Sequence, residues 1–133
     1  MSRQEVKDQA ARLARPGATV RCVDDGETVV VILEKYTPPN AEAYVPSDLD
    51  ALAFVVPSAF PDASPDPSGF FVSPPTLVVA TSKGPPQSSG ATTLLGQPWL
   101  KFSWGSKVHP WNPDTDTLET HLANIEARFR RGT

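Results

Sequence analysis

The stretch LKFSWGSKVHPWNPDTDTLETHL, residues 100–122, decides how this chain is read. Residues 99–103 form a short extended piece, the middle reads as an exposed loop, and the pattern then turns helical. Leu118, Leu122, Ile125 and Phe129 recur at the spacing of one helical face, which predicts a helix over residues 114–131. Pro113 stands near its first turn, where a missing N–H costs nothing. Asp116 and Glu119 make a capping pattern. Arg128, Arg130 and Arg131 crowd the C-terminal end, where the helix dipole favours cations. The loop before this helix holds Ser103, Ser106, Lys107, His109, Trp104 and Trp111, but no cysteine.

Upstream, residues 2–15 read as a helix opened by a Ser2/Glu5 capping box, with Val6, Ala10 and Leu13 on one face and Pro16-Gly17 as the stop. Residues 18–24 and 28–36 read as two strands joined around Asp25-Gly26, a hairpin signal. The run from Val29 to Leu33 is apolar at every position, as in a central strand covered by a helix on one side. Residues 52–56 predict a third strand. Residues 76–81 predict a fourth, reached through Pro74-Pro75. Between them, residues 57–69 hold four prolines and read as loop, and residues 70–72 as a short edge strand. Residues 82–93 are rich in Gly, Pro and Ser and read as an irregular connection. The order predicts an α+β fold: an N-terminal helix, a four-stranded antiparallel meander covered on one face, an irregular loop and a C-terminal helix. Residues 1–133 are expected to form a single domain.

Composition narrows the function. The 133 residues carry a net charge of -3, which lacks the basic stripe a nucleic-acid partner would want. One cysteine excludes an intrachain disulfide and a multi-cysteine metal site. Neither a G-x-S-x-G elbow nor a Gly-rich phosphate loop occurs, so no cofactor and no metal are expected. The first residues are charged throughout, unlike a signal peptide, and no apolar run reaches the roughly 18 residues of a membrane helix. A cytoplasmic protein is expected, with no membrane partner.

Three features together resemble the ubiquitin-conjugating (UBC-like) fold. A first helix leads into a hairpin. Phe60-Pro61 followed by Pro74-Pro75-Thr76-Leu77 is similar to that family's aromatic-Pro and Pro-Pro pattern. Trp111-Asn112-Pro113 before a Leu-rich helix is similar to the Trp-Ser-Pro that follows the active site. The segments FPDASPDPSGFFVSPPTL and HPWNPDTDTLETHL resemble the prokaryotic family E of that superfamily. In the family the catalytic cysteine stands eight residues before the tryptophan, and here that position is Ser103. The usual His-Pro-Asn tripeptide is absent between Phe71 and Ser103, and a single helix follows the loop.

The resemblance implies a bacterial protein that accepts an activated ubiquitin-like C-terminus from an activating enzyme and transfers it to an acceptor. With serine in the cysteine's place, the intermediate would be an oxyester. Serine is a weak nucleophile that needs a neighbouring base. His109, six residues on, is the candidate base. Lys107 and backbone N–H groups near Gly105 are candidate oxyanion donors. Ser106 is an alternative acceptor. His121, at the edge of the helix stripe, is a candidate supporting residue but fits a core histidine better. Trp104 and the first helix's Arg3, Lys7 and Arg12 are candidate partner contacts, though charged helix faces are usually just solvated. Cys22, alternating with Val20 on a strand, reads as a buried small hydrophobe. The alternative function is a non-catalytic UBC-like module that binds a ubiquitin-like protein or its activating enzyme.

Overall fold

A computed structural model describes residues 3–65, 69–81, 88–103 and 110–131, with backbone alone at 88, 89, 103 and 131. Its elements are α1 (Arg3–Ala11), β1 (Thr19–Asp25), β2 (Thr28–Glu34), β3 (Tyr44–Val45), β4 (Ala51–Val56), β5 (Gly69–Ser73), β6 (Val78–Val79), β7 (Ser88–Leu94), β8 (Gln97–Ser103) and α2 (Leu118–Arg131). The main sheet has six strands in the order β1-β2-β4-β5-β8-β7, every neighbouring pair antiparallel. The first hairpin pairs Asp25 with Thr28 across Gly26, whose φ of 62° needs no Cβ.

The expected four-stranded meander is therefore incomplete. Strands β1, β2, β4 and β5 form one, and a second hairpin, β7–β8, extends it to six. The hairpin turns on Leu95-Gly96, with φ of 52° and 74°, the left-handed pair that matches strand twist. Strand β7 escaped the sequence reading because an edge strand in water needs no apolar alternation. Residues 70–72, expected at an edge, lie inside the sheet: Phe70 and Val72 are fully buried between β4 and β8. Of the fourth strand expected over 76–81, only Val78–Val79 is extended. It pairs with Tyr44–Val45 in a separate two-stranded sheet. A turn closed by Leu77 N–H to Pro74 O (3.2 Å) deflects the chain after the paired prolines.

Strand alternation sorts the side chains onto two faces. One face presents Val29, Val31, Leu33, Leu52, Phe54, Phe70, Val72, Leu100 and Phe102. Against it pack Val6, Ala10 and Leu13 near the N-terminus and Leu118, Leu122, Ile125 and Phe129 of α2. Each of the four α2 side chains is fully buried and contributes about 1.5–3 kcal/mol. The other face holds a smaller cluster of Val30, Ile32, Ala51, Ala53, Phe71 and Trp99. This second cluster explains why the run from Val29 to Leu33 is apolar throughout.

Both helices are shorter than expected. α1 ends at Ala11, and two tight turns, Arg12 N–H to Gln9 O and Leu13 N–H to Ala10 O, carry Leu13 into the core. The Ser2 half of its expected capping box lies outside the described residues. α2 begins at Leu118 because side chains compete for the preceding backbone. Asn112 Oδ1 accepts the Asp114 N–H at 3.0 Å, and Asp116 Oδ2 accepts the Asn112 N–H at 2.8 Å. Thr120 Oγ1, in place of the expected Glu119, returns to the Thr117 N–H at 3.1 Å. The Leu118 N–H donates to Gln9 Oε1 of α1 at 3.1 Å. At the far end, the Phe129 carbonyl accepts from Asn40 Nδ2 (2.6 Å) and Tyr44 Oη (2.8 Å).

Candidate functional site

The site is defined by what holds its two ends. β8 pairs with β5 from Val72↔Leu100 to Gly69↔Ser103, so Ser103 is the last residue of a strand inside the sheet. The residue before it, Phe102, is fully buried, stacked on Phe70 (5.1 Å between centroids) and close to Phe129 (5.2 Å) and Tyr44 (6.3 Å). The chain is caught again at Trp111. Its Nε1–H donates to the Pro61 carbonyl at 2.7 Å, and its ring lies 5.7 Å from the buried Phe60. Pro61 follows β4, and Gly69 opens β5, at the same end of the sheet as Ser103. Two motif pieces 50 residues apart in sequence, Phe60-Pro61 and Trp111, are thus in direct contact.

The Ser103 side chain and all of Trp104, Gly105, Ser106, Lys107 and His109 lie outside the described residues. The other candidate residues can be placed. His121 is 3% exposed on the inner side of α2, its ring edge-on to Phe54 at 4.8 Å. Phe54 belongs to β4, two strands from β8. Cys22 sits on β1 opposite Val31, half-buried against the core. Burial pushes its thiol pKa up, the Lys7 ammonium pulls it down and the Asp24 carboxylate raises it. Four strand spacings separate β1 from β8, roughly 19 Å.

The α1 cations engage this chain's own hairpin. Arg3 Nη1 lies 3.1 Å and Lys7 Nζ 3.4 Å from the Asp24 carboxylate, and Arg3 Nη2 donates to the Gly26 carbonyl. The Arg3 hydrogen bond, aided by Lys7, holds the Asp24 carboxyl below its usual range. These ion pairs are exposed and add little stability, but they orient the helix over the hairpin end. Arg12 is exposed.

One residue near the site has a tertiary contact beyond its sequence reading. Arg128, expected at the C-terminal end of the helix where the dipole favours cations, is also 2% exposed, with its guanidinium 5.1 Å from the centre of the Phe102 ring. The signal was present: Arg128 lies seven residues after His121, on the same edge of the buried stripe. Among the described residues no group of three or more His, Cys, Asp or Glu could hold a metal ion. No helix among them is long and apolar enough to cross a membrane.

Two helices packed on one face of an antiparallel sheet make an α+β protein compatible with the UBC-like fold. The family model described as prokaryotic E2 family E matches residues 6–131, and the chain belongs to that family. A function related to ubiquitin-like conjugation follows at that level. Comparison with the curated proteins and with the solved structures gave no match.

Proposed function

We propose that this protein accepts the activated C-terminal acyl group of a ubiquitin-like protein from an activating enzyme, holds it as a Ser103 oxyester, and passes it to an acceptor. The observation that supports this reading is the backbone frame: Ser103 ends an interior strand, and eight residues later Trp111 is pinned to Pro61 at the same end of the sheet. Ser103 Oγ attacks the activated carbonyl carbon, and its proton passes to the His109 imidazole. The bond from that carbon to the activating enzyme's leaving group breaks, and the leaving group departs with the electron pair and takes up a proton. Lys107 and backbone N–H groups around Gly105 stabilise the oxyanion. Ser106 is the alternative acceptor, Trp104 and Arg12 serve partner contact, and His121 belongs to the core in this reading. No cofactor is required, and the reaction is assigned to the cytoplasm.

The test mixes the protein with activating enzyme, ATP and ubiquitin-like protein. An adduct should form that survives thiol reductant and is cleaved by mild base. Ser103→Ala should abolish it; normal charging of that variant would overturn the assignment. A complex on gel filtration that dissociates fully in denaturant, with no adduct, would support a non-catalytic binding module instead.

A further inference from the structure

The two edges of the main sheet are unlike. β1 carries Arg21, Asp24 and Asp25 among its seven residues, and α1 is tied to its end through Arg3 and Lys7. β7, with the sequence SSGATTL, has neither charge nor proline. An open edge of that kind is a template for another strand unless charge, proline or a bulge guards it. Among the described residues, the guard on β7 is a register shift between Ser88 and Gly90, near the Ser103 end. Gly90 has φ of 88°, and nothing lies within 4 Å of where its Cβ would stand. Among the described residues no strand pairs with the outer side of β7, and Ala91 and Thr93 are exposed.

Direction decides what fits. β8 runs towards Ser103, and β7 runs back from Ser88, opposite Phe102, to Leu94, opposite Gln97. A peptide added antiparallel to β7 travels in the direction of β8. Its C-terminus therefore emerges beside Ser88, at the Ser103 end of the sheet. Parallel addition, the less stable arrangement, would present an N-terminus there. Two strand spacings, about 10 Å in all, separate the added strand from β8, and about three extended residues cross that gap.

We infer that β7 is the docking edge for the extended C-terminal tail of the ubiquitin-like protein, which it pairs by β-augmentation and aims at the Ser103 loop. The inference rests on the conjugation reading above. An uncharged edge also admits β7 of a second copy of the chain. That occupant would block the tail.

Successive strand N–H groups point to opposite sides, so of Thr92→Pro and Thr93→Pro one removes an outward donor and the other disturbs the ladder to β8. Thermal melting identifies the first as the variant that keeps the wild-type midpoint. It should raise the ubiquitin-like protein concentration for half-maximal charging by about tenfold, the effect of one lost backbone hydrogen bond. Its maximal rate should stay within about twofold of wild type. Charging unchanged in half-saturation would overturn the docking edge while leaving the conjugation reading intact. Independently, a synthetic peptide of the tail, titrated into the isotope-labelled chain, should shift the amides of β7 and leave those of β1 in place. This second measurement decides the inference even if both proline variants unfold or the wild-type chain forms no adduct. Absence of shifts on β7 overturns it. So does a sedimenting dimer that the proline variants convert to monomer, because a second copy then occupies the edge.

Discussion

Cys22 and Tyr36 show how position sets the chemistry of single residues. Cys22 is the chain's one thiol, yet its burial disfavours the thiolate, and β2, β4 and β5 lie between it and the strand that ends at Ser103. Cys22→Ala should therefore charge at the wild-type rate, read as adduct formed per minute on a gel. Tyr36 Oη donates to Glu126 at 2.8 Å from a site that is 1% exposed. Burial, then the hydrogen bond and charge of Glu126, push the phenol well above its ordinary 10.0. The folded state holds this proton more tightly than the unfolded chain. The stabilisation is thus fully present below the unfolded pKa, about 10, and is lost as pH rises towards the folded value. Tyr36→Phe should cost about 1–2 kcal/mol at neutral pH. Its urea midpoint should fall less than the wild type's between about pH 9 and about pH 11. The buried stripe of α2 was legible in sequence because apolar spacing alone reports it. The burial of Arg128 was legible only from its place seven residues after His121, and the helix dipole offered an explanation of its charge that needs no tertiary contact.

At the scale of elements, α2 is finished at both ends by side chains from distant segments. Gln9 reaches its first turn from α1, and Asn40 and Tyr44 meet the Phe129 carbonyl. Long-range capping of this kind leaves no local pattern. The helix was legible from Leu118 onward, but its start was placed at Asp114, where Asn112 and Asp116 in fact fold the chain into a turn. Gln9→Ala should destabilise the protein by about 1 kcal/mol, as loss of a helix cap does. Chemical denaturation followed by far-ultraviolet dichroism measures this. Preserved stability would show that water replaces the amide. The strands with two buried faces were legible through β-branched runs, as in β2. The β7 strand was not, because one side of it meets solvent and its residues are those of a loop.

For the whole molecule, the β7–β8 hairpin changes most relative to the sequence reading. It turns a four-stranded meander into a six-stranded sheet and makes the Ser103 strand an interior one. Its tip places Leu95 in the left-handed region at φ of 52°, with the residue 36% exposed. Leucine is strained there and belongs to neither apolar cluster, whereas asparagine before glycine suits such a turn. Leu95→Asn should stabilise the fold by about 0.5–1 kcal/mol, seen as a higher melting temperature. A lower one would mean that Leu95 packs in a way the turn geometry does not capture. The overall class, helices on one face of an antiparallel sheet, was legible from element order, because local pattern fixes what each element is. The strand order was not, because pairing depends on turns whose residues, Leu95 among them, break the usual preferences.

The bond from Trp111 to Pro61 also bears on how such a chain can diverge. Phe102 is set among aromatic rings and Trp111 is fastened to a separate loop, so the stretch of sequence between them runs from one fixed post to another. Closing a longer stretch costs little, about 0.6 kcal/mol for each doubling of length. The sequence between the posts can thus be exchanged, lengthened or re-lettered while the scaffold keeps its stability.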